Sequence, residues 1–145
     1  MMEPFGRTLI HGDVHTRNVV LRKTAGRVQA VLLDWGRSRA GSPLEDVSSW
    51  LLSLRGWEPA AARDHDTLLR SYLAAAGRPM ALTSELRDAY WIAAASNAMA
   101  GALRYHLLVA HQAKGRTRAT ALTQAHGALR VIHRAAERLR GRAGA

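Results

Sequence analysis

The stretch LIHGDVHTRNVVL, Leu9–Leu21, places a group of polar side chains between two apolar runs. The apolar runs are typical of β-strands, and the residues between them include two histidines, an aspartate and an asparagine. Another apolar run, Val28–Leu33, follows after KTAGR, in which Gly26 can adopt the positive φ of a short turn. The sequence therefore predicts a β-hairpin with strands near Val19–Arg22 and Val28–Leu33, entered through a polar loop.

The rest of the chain carries the spacing of α-helices. Apolar residues recur at helical intervals over 44–54, after a loop that offers Ser42 or Pro43 as the helix start. Further helices are predicted at about 60–76, 83–112 and 118–140, with glycine-containing breaks between the last three. The predicted fold class is α+β and mainly α, as one domain over 1–145 with a loop-and-hairpin part at 1–40 and a helical part at 43–140.

The composition limits the classes of site. The 145 residues include no cysteine, which excludes disulfide bonds and cysteine-ligated zinc or iron–sulfur sites. The N-terminal residues lack the basic and apolar segments of a signal peptide, and no apolar run approaches the roughly 20 residues of a membrane-spanning helix. We therefore expect a cytoplasmic protein without a membrane partner.

The net charge of +10 is concentrated near the C-terminus. From Lys114 onward the chain has eight Lys or Arg residues and a single acidic residue, Glu137. A basic helix of this kind is typical of a solvated surface, and nucleic-acid binding is the alternative. Because no recognition motif accompanies the charge, we do not expect nucleic acid to be a partner.

Three polar residues are predicted to converge at one end of the hairpin. Asn18 enters the first strand and Asp34 follows the second, so antiparallel pairing brings them together. An amide oxygen and a carboxylate suit Mg²⁺, which binds few protein groups and keeps several waters. Asp13, on the preceding loop, is left free to accept a proton or orient a hydroxyl. This combination is typical of phosphoryl transfer.

The order and spacing of the motifs resemble those of a known family. Protein kinases carry H-R-D-x-x-x-x-N followed by D-F-G, and this chain has HGDVHTRN at 11–18 and DWG at 34–36. Together with GSPLED at 41–46, these residues resemble the aminoglycoside phosphotransferase and choline kinase family of small-molecule kinases. The resemblance covers about 9–52, whereas the helical remainder matches only in general character.

The resemblance implies a role for each acidic or amide residue of the motifs. Asp13 is implied to be the catalytic base, and Asn18 and Asp34 are implied to be the magnesium ligands. Asp46 resembles the family aspartate that starts the following helix and braces the catalytic loop by hydrogen bonds.

The two histidines of the loop are implied to be supporting residues. His11 is expected to orient the backbone of the catalytic loop. His15 matches a histidine that is often present in the family's loop, and a purely structural role for it is equally open.

The resemblance also implies a cofactor, an acceptor and a second lobe. The family transfers the γ-phosphoryl group of ATP, or another nucleoside triphosphate, to a hydroxyl of a small molecule with Mg²⁺. An N-terminal lobe supplies a glycine-rich loop and a lysine for the phosphates. Here twelve residues precede Asp13, no G-x-G-x-x-G is present, and neither Lys23 nor Lys114 is placed to substitute.

We therefore expect the chain to be the C-terminal lobe alone of such a kinase, as a fragment, a truncated gene product or a natural stand-alone lobe. It is expected to have little activity without an N-terminal lobe or a partner chain. The surface around Leu9 and the hairpin, which that lobe would cover, is expected to expose apolar residues.

The sequence is also compatible with other functions and with several classes of substrate. The chain can be a non-catalytic binding or regulatory remnant of a kinase. The GDVH at 12–15 also matches the start of a metallophosphoesterase site, but the further metal-binding elements of that class are missing. Family substrates include aminoglycosides, choline, homoserine, sugars and macrolides. The acidic candidates for substrate contact are Glu58, Asp64, Asp66, Glu85 and Asp88.

Overall fold

The computed structural model describes residues 5–54, 65–77 and 81–143. The chain divides into two compact units, Met1–Thr83 and Ser84–Ala145. The first unit contains β1 (Thr8–Ile10), a 3₁₀ turn (Thr16–Asn18), β2 (Val19–Thr24), β3 (Arg27–Leu32), β4 (Arg39–Gly41), α1 (Pro43–Ser53) and α2 (His65–Ala75). The second contains α3 (Ser84–Asn97), a π-helical segment (Ala98–Leu103), α4 (Arg104–Gln112) and α5 (Gly115–Ala143). The fold is α+β and mainly helical, as the sequence predicts.

The strands of the first unit form two separate antiparallel pairs. Strand β2 pairs with β3, with Val19 opposite Leu32, which confirms the predicted hairpin. Its two-residue turn consists of Ala25 and Gly26, with φ of 49° and 78°, the left-handed conformation that such turns require. Strand β4 pairs with β1, and this second pair was not predicted.

The hairpin is open to solvent on both faces over most of its length. Every residue from Val20 to Ala30 is exposed, including Leu21 at 71% and Val28 at 64%. Leu9 on β1 is also 69% exposed. A two-stranded hairpin is marginal by itself in water, and these apolar side chains are left exposed in this structure.

Helix α1 anchors the first unit. Pro43 stands at its first turn, where the fixed φ and missing N–H of proline are favourable. The N–H of Ser42 donates to a carboxylate oxygen of Glu45 at 3.3 Å and satisfies a backbone donor at the helix start. Burying each leucine or isoleucine of the core contributes about 1.5–3 kcal/mol. The most buried members of this core are Ile10, Leu44, Leu51, Leu69 and Leu73.

The second unit consists of helices. Helix α3 continues through the π-helical segment into α4, so the helix predicted over 83–112 is present as one uninterrupted run. Helix α5 begins at Gly115, three residues before the predicted start, where the glycine has φ of 55°. Buried alanines give α5 a small-residue face: Ala121, Ala125, Ala128 and Ala135.

Two arginines of α5 contribute to internal packing of this unit. The Arg138 Nε donates to Asp88 Oδ1 at 2.8 Å, and the Arg134 guanidinium lies 4.2 Å from the ring centroid of Trp91. Burial raises the pKa of the neighbouring Tyr90 well above its ordinary value, and the nearby Arg134 charge offsets part of that rise. The basic helix is therefore only partly a solvated face.

None of the helices in the described part of the chain is long and apolar enough to span a bilayer.

Candidate active site

The backbone at the start of the HGD motif is held by one carboxylate. The N–H of His11 donates to Asp46 Oδ2 at 2.7 Å, and the N–H of Gly12 donates to Asp46 Oδ1 at 2.8 Å. Asp46 lies in the first turn of α1, so the helix carries this carboxylate to the loop that follows β1. Hydrogen bonds to a charged acceptor are stronger than neutral ones, and both backbone donors lie in buried residues.

His11 connects the loop that contains the HGD motif to the segment that follows the hairpin. Its side chain is 1% exposed, with Nε2 at 2.7 Å from the carbonyl oxygen of Leu33 and Nδ1 at 3.3 Å from the N–H of Asp13. Because a carbonyl only accepts, Nε2 carries the hydrogen and Nδ1 accepts from Asp13. The imidazole also lies against Trp35, with ring centroids 4.8 Å apart.

Gly12 is required by both its conformation and its surroundings. Its φ is +78°, the left-handed region that favours glycine. A Cβ at this position would overlap the carbonyl oxygen of Arg37 and the guanidinium of Arg39. The segment after Asp34 therefore packs directly on the backbone of the HGD motif.

Asn18 and Asp34 lie at the same end of the hairpin. The side chain of Asn18 donates from Nδ2 to the carbonyl oxygen of Asp13 at 3.0 Å, so its amide nitrogen is directed at the loop. The backbone N–H of Leu33 donates to the carbonyl oxygen of Asn18 at 2.9 Å, one residue before Asp34. These two hydrogen bonds connect the loop, the start of β2 and the end of β3.

Asp34 has an unusual backbone conformation. Its φ of 59° is in the left-handed region, where a non-glycine residue costs of the order of 1–3 kcal/mol and where functional residues concentrate. Trp35, next in the chain, donates from Nε1 to the carbonyl oxygen of Leu32 at 3.1 Å. The strand end and the following turn thus hold Asp34 in a conformation that aspartate rarely adopts by itself.

Two basic side chains face the carboxylate of Asp13. The Arg37 Nη1 lies 4.0 Å from Oδ1, and the His15 Nε2 lies 4.0 Å from Oδ2. The Asp13 side chain is 33% exposed, so it can reach a bound molecule. His15 also caps the 3₁₀ turn, since its Nδ1 accepts from the N–H of Arg17 at 3.2 Å.

The donor set at the hairpin end fits a magnesium ion. Because the Nδ2 of Asn18 is directed at the loop, the amide oxygen is the atom of that side chain left to bind a metal ion, and Asp34 adds a carboxylate. Over the described ranges 5–54, 65–77 and 81–143, no three His, Asp or Glu side chains are grouped to hold a metal ion. Mg²⁺ needs no such group, because it binds through one or two carboxylates together with phosphate oxygens and water.

The acidic residues suggested as substrate contacts lie in different environments. Glu58 and Asp64 lie outside the described residues. Asp66 and Glu85 are in the first turns of α2 and α3. Asp88 is 4% exposed and ion-paired with Arg138, so this buried carboxylate is not placed to contact a substrate.

Sequence reasoning missed three charged residues near the loop: Arg37, Arg39 and Glu45. Arg37 follows Asp34 by three residues, and this closeness in sequence to a candidate metal ligand could have identified Arg37 as a residue of the site. Glu45 precedes Asp46 in the first turn of α1 and contacts Arg39 rather than the loop. Their positions depend on the β1–β4 pairing, which local sequence patterns do not reveal.

The comparison with protein families agrees with this geometry. The family model described as "Phosphotransferase enzyme family" matches residues 3–82, more than half of the 145-residue chain. The matched segment includes Asp13, Asn18, Asp34 and Asp46. Neither a curated protein nor a solved structure matches the chain. The chain belongs to the phosphotransferase enzyme family.

Proposed function

We propose that the protein transfers the γ-phosphoryl group of ATP, or of another nucleoside triphosphate, to a hydroxyl of a small molecule in a Mg²⁺-dependent reaction. The observation that carries the proposal is a set of hydrogen bonds at one end of the hairpin that connects Asp13, Asn18 and the residue before Asp34. Asn18 donates to the carbonyl of Asp13, and the backbone of Asn18 accepts from the residue before Asp34. Family membership supports phosphotransfer as the reaction. The hydrogen bonds of the site support the choice of Asp13, Asn18 and Asp34 as the residues that would perform it.

Asp13 is proposed to be the catalytic base. Its partly exposed carboxylate can accept a hydrogen bond from an acceptor hydroxyl and orient the oxygen for attack on the γ-phosphorus. As the new bond forms between the acceptor oxygen and the γ-phosphorus, the bond from the γ-phosphorus to the bridging oxygen breaks, the nucleoside diphosphate leaves, and the hydroxyl proton passes to the carboxylate. Arg37 and His15 are placed to orient the two carboxylate oxygens.

Asn18 and Asp34 are proposed to hold the magnesium ion. The ion supplies positive charge that neutralises the phosphate oxygens of the bound nucleotide. The hydrogen bond from the Asn18 Nδ2 to the Asp13 carbonyl oxygen fixes the orientation of the Asn18 amide, and Asp34 follows the end of β3 with its backbone in the left-handed region. Preorganised ligands of this kind reduce the entropy lost on binding.

His11 and Asp46 are proposed to keep the catalytic loop in place. Asp46 holds the backbone of the HGD motif through two hydrogen bonds. His11 accepts from the N–H of Asp13 and donates to the carbonyl next to Asp34, so it fixes the spacing between the base and the metal-binding end of the hairpin. Neither side chain needs to touch the substrate to affect the rate.

The proposal includes a further lobe, on this chain or on a partner chain, that covers the hairpin and contributes phosphate-binding groups. The exposed Leu9, Leu21, Val28 and Trp35 side chains support such a covering surface. A cytoplasmic location, where nucleoside triphosphates and Mg²⁺ are abundant, is part of the same proposal.

A coupled ADP-release assay on the full-length gene product tests the proposed function. The acceptor panel should contain aminoglycosides, choline, homoserine, simple sugars and macrolides, with GTP tested beside ATP. We expect acceptor-dependent turnover that requires Mg²⁺ and falls at least about 1,000-fold in Asp13→Asn, because the base and the orienting group are lost together. Glu137→Gln, an exposed change in α5, serves as the control and should keep full turnover.

Absence of turnover with every acceptor, while Mg²⁺-dependent nucleotide binding persists, would instead identify a non-catalytic binding protein. Turnover that Asp13→Asn leaves intact would contradict the proposed site.

A further inference from the structure

The ion pair between Arg39 and Glu45 has no role in the proposed chemistry, yet it lies against the catalytic loop. The Arg39 Nη2 donates to Glu45 Oε2 at 2.5 Å. The Glu45 side chain is only 12% exposed, and its other oxygen accepts from the N–H of Ser42. An ion pair with one partner this well shielded is screened less than a surface pair and holds a fixed geometry more strongly.

The guanidinium of Arg39 reaches two parts of the site. Its Nη1 donates to the carbonyl oxygen of Arg37 at 3.5 Å, a long hydrogen bond. The same nitrogen and the same carbonyl oxygen lie where a Cβ of Gly12 would be. Arg39 therefore forms part of the surface on which the HGD backbone rests.

Glu45 and Asp46 are neighbours in the first turn of α1 and hold different segments. Asp46 binds the backbone of His11 and Gly12, whereas Glu45 binds Arg39 and, through it, the segment after the hairpin. One helical turn thus fixes both chain segments that carry the site. Each segment is fixed by its own carboxylate.

The contact between Glu45 and Arg39 is connected to Asp13, the proposed base, through Arg37. Arg39 contacts the carbonyl of Arg37, and the Arg37 guanidinium lies 4.0 Å from Asp13 Oδ1. A shift of the 37–39 segment would move this guanidinium relative to the carboxylate and release the backbone packed on Gly12. Displacements of about 1 Å in a catalytic arrangement can reduce a rate by as much as 100-fold.

We infer that Arg39 and Glu45 are positioning residues for the phosphoryl-transfer site: as a pair, they hold the 37–39 segment against Gly12 and thereby set Arg37 beside Asp13. The inference rests on the proposed function for its effect on rate. Its structural part, the support of the HGD backbone, can be measured without turnover.

The test is a double-mutant cycle on the full-length gene product with Arg39→Ala, Glu45→Gln and the double variant. We expect each single variant to lower kcat roughly tenfold, after correction for the folded fraction, with the KM of the acceptor changed less than twofold. The double variant should be no slower than the slower single variant, because the two residues act through one contact. Arg39→Lys, which keeps the charge, should recover part of the loss, and Glu137→Gln should be neutral.

Amide hydrogen exchange at Gly12 and Asp13 gives the second readout. Both amides should exchange at least several-fold faster in Arg39→Ala and in Glu45→Gln than in the unmodified protein, with exchange in α5 unchanged. Unchanged exchange at both amides, or losses in kcat that simply add in the double variant, would overturn the inference. If the unmodified protein shows no Asp13-dependent turnover, the proposed function fails, and the exchange data alone then decide whether the pair supports the loop.

Discussion

Replacement of Asp46 tests how the backbone of the HGD motif is held. The carboxylate accepts backbone hydrogen bonds at 2.7 and 2.8 Å from His11 and Gly12, both of which are buried. A hydrogen bond to a charged group contributes about 1.5–3 kcal/mol, and an unsatisfied buried donor costs a similar amount. Asp46→Ala removes both acceptors, so we expect it to destabilise the protein by about 3 kcal/mol or more. Asp46→Asn keeps one oxygen and should cost about half as much.

Urea unfolding measures this difference. With an m value of about 2 kcal/mol per molar urea, a loss of 3 kcal/mol lowers the midpoint by about 1.5 M. The amides of His11 and Gly12 should lose hydrogen-exchange protection in the same variants. Glu137→Ala removes an exposed carboxylate, 59% accessible, and should stay within about 0.5 kcal/mol of the unmodified protein. An Asp46→Ala variant as stable as this control, with both amides still protected, would show that Asp46 does not hold the HGD backbone.

Three further predictions concern Gly12, Asp34 and His106. Gly12→Ala should lower the free energy of unfolding by about 2 kcal/mol more than Gly26→Ala. Both glycines have φ of +78°, but only Gly12 has other atoms where the Cβ would lie. Urea unfolding compares the two variants, and equal losses of stability would contradict the close packing at Gly12. Asp34→Asn should weaken the binding of Mn²⁺ at least about tenfold. The binding is measured by the paramagnetic broadening of Asn18 side-chain NMR signals, and unchanged broadening would exclude Asp34 as a ligand. Burial lowers the pKa of His106 below its ordinary value of 6.5. The folded state therefore takes up the proton less readily than the unfolded state, and stability should fall as the pH drops below 6.5. His106→Gln should flatten the pH dependence of the melting temperature between about pH 6.5 and 5, and identical slopes in the two proteins would contradict this role of His106.

The hairpin and the loop could be predicted because their signals are local. The apolar runs, the glycine in KTAGR and the spacing of Asn18 and Asp34 all lie within a short segment, and the structure has the hairpin within two residues of the predicted ends. Ser42 and Pro43 likewise predicted the start of α1, which begins at Pro43. Elements of this kind depend on neighbours in sequence, which a single chain displays directly.

The remaining features depend on contacts distant in sequence. Strand β4 is only three residues long and exists because it pairs with β1, about 30 residues earlier. The contacts of Arg37 and Arg39 depend on that pairing. The sequence of this arginine-rich segment therefore did not indicate that these two arginines contact the site. The ion pair of Asp88 with Arg138 spans 50 residues and turned a candidate substrate contact into a packing residue.

Detection of the phosphorylated product itself tests phosphoryl transfer most directly. ³¹P NMR of a reaction containing the full-length gene product, Mg²⁺, ATP and an acceptor from the active class should show a phosphate monoester that grows as the γ-phosphate signal declines. We expect that Asp13→Asn, folded as judged by circular dichroism, forms no monoester on the same timescale. A monoester formed by Asp13→Asn at the rate of the unmodified protein would contradict the assignment of Asp13 as the base.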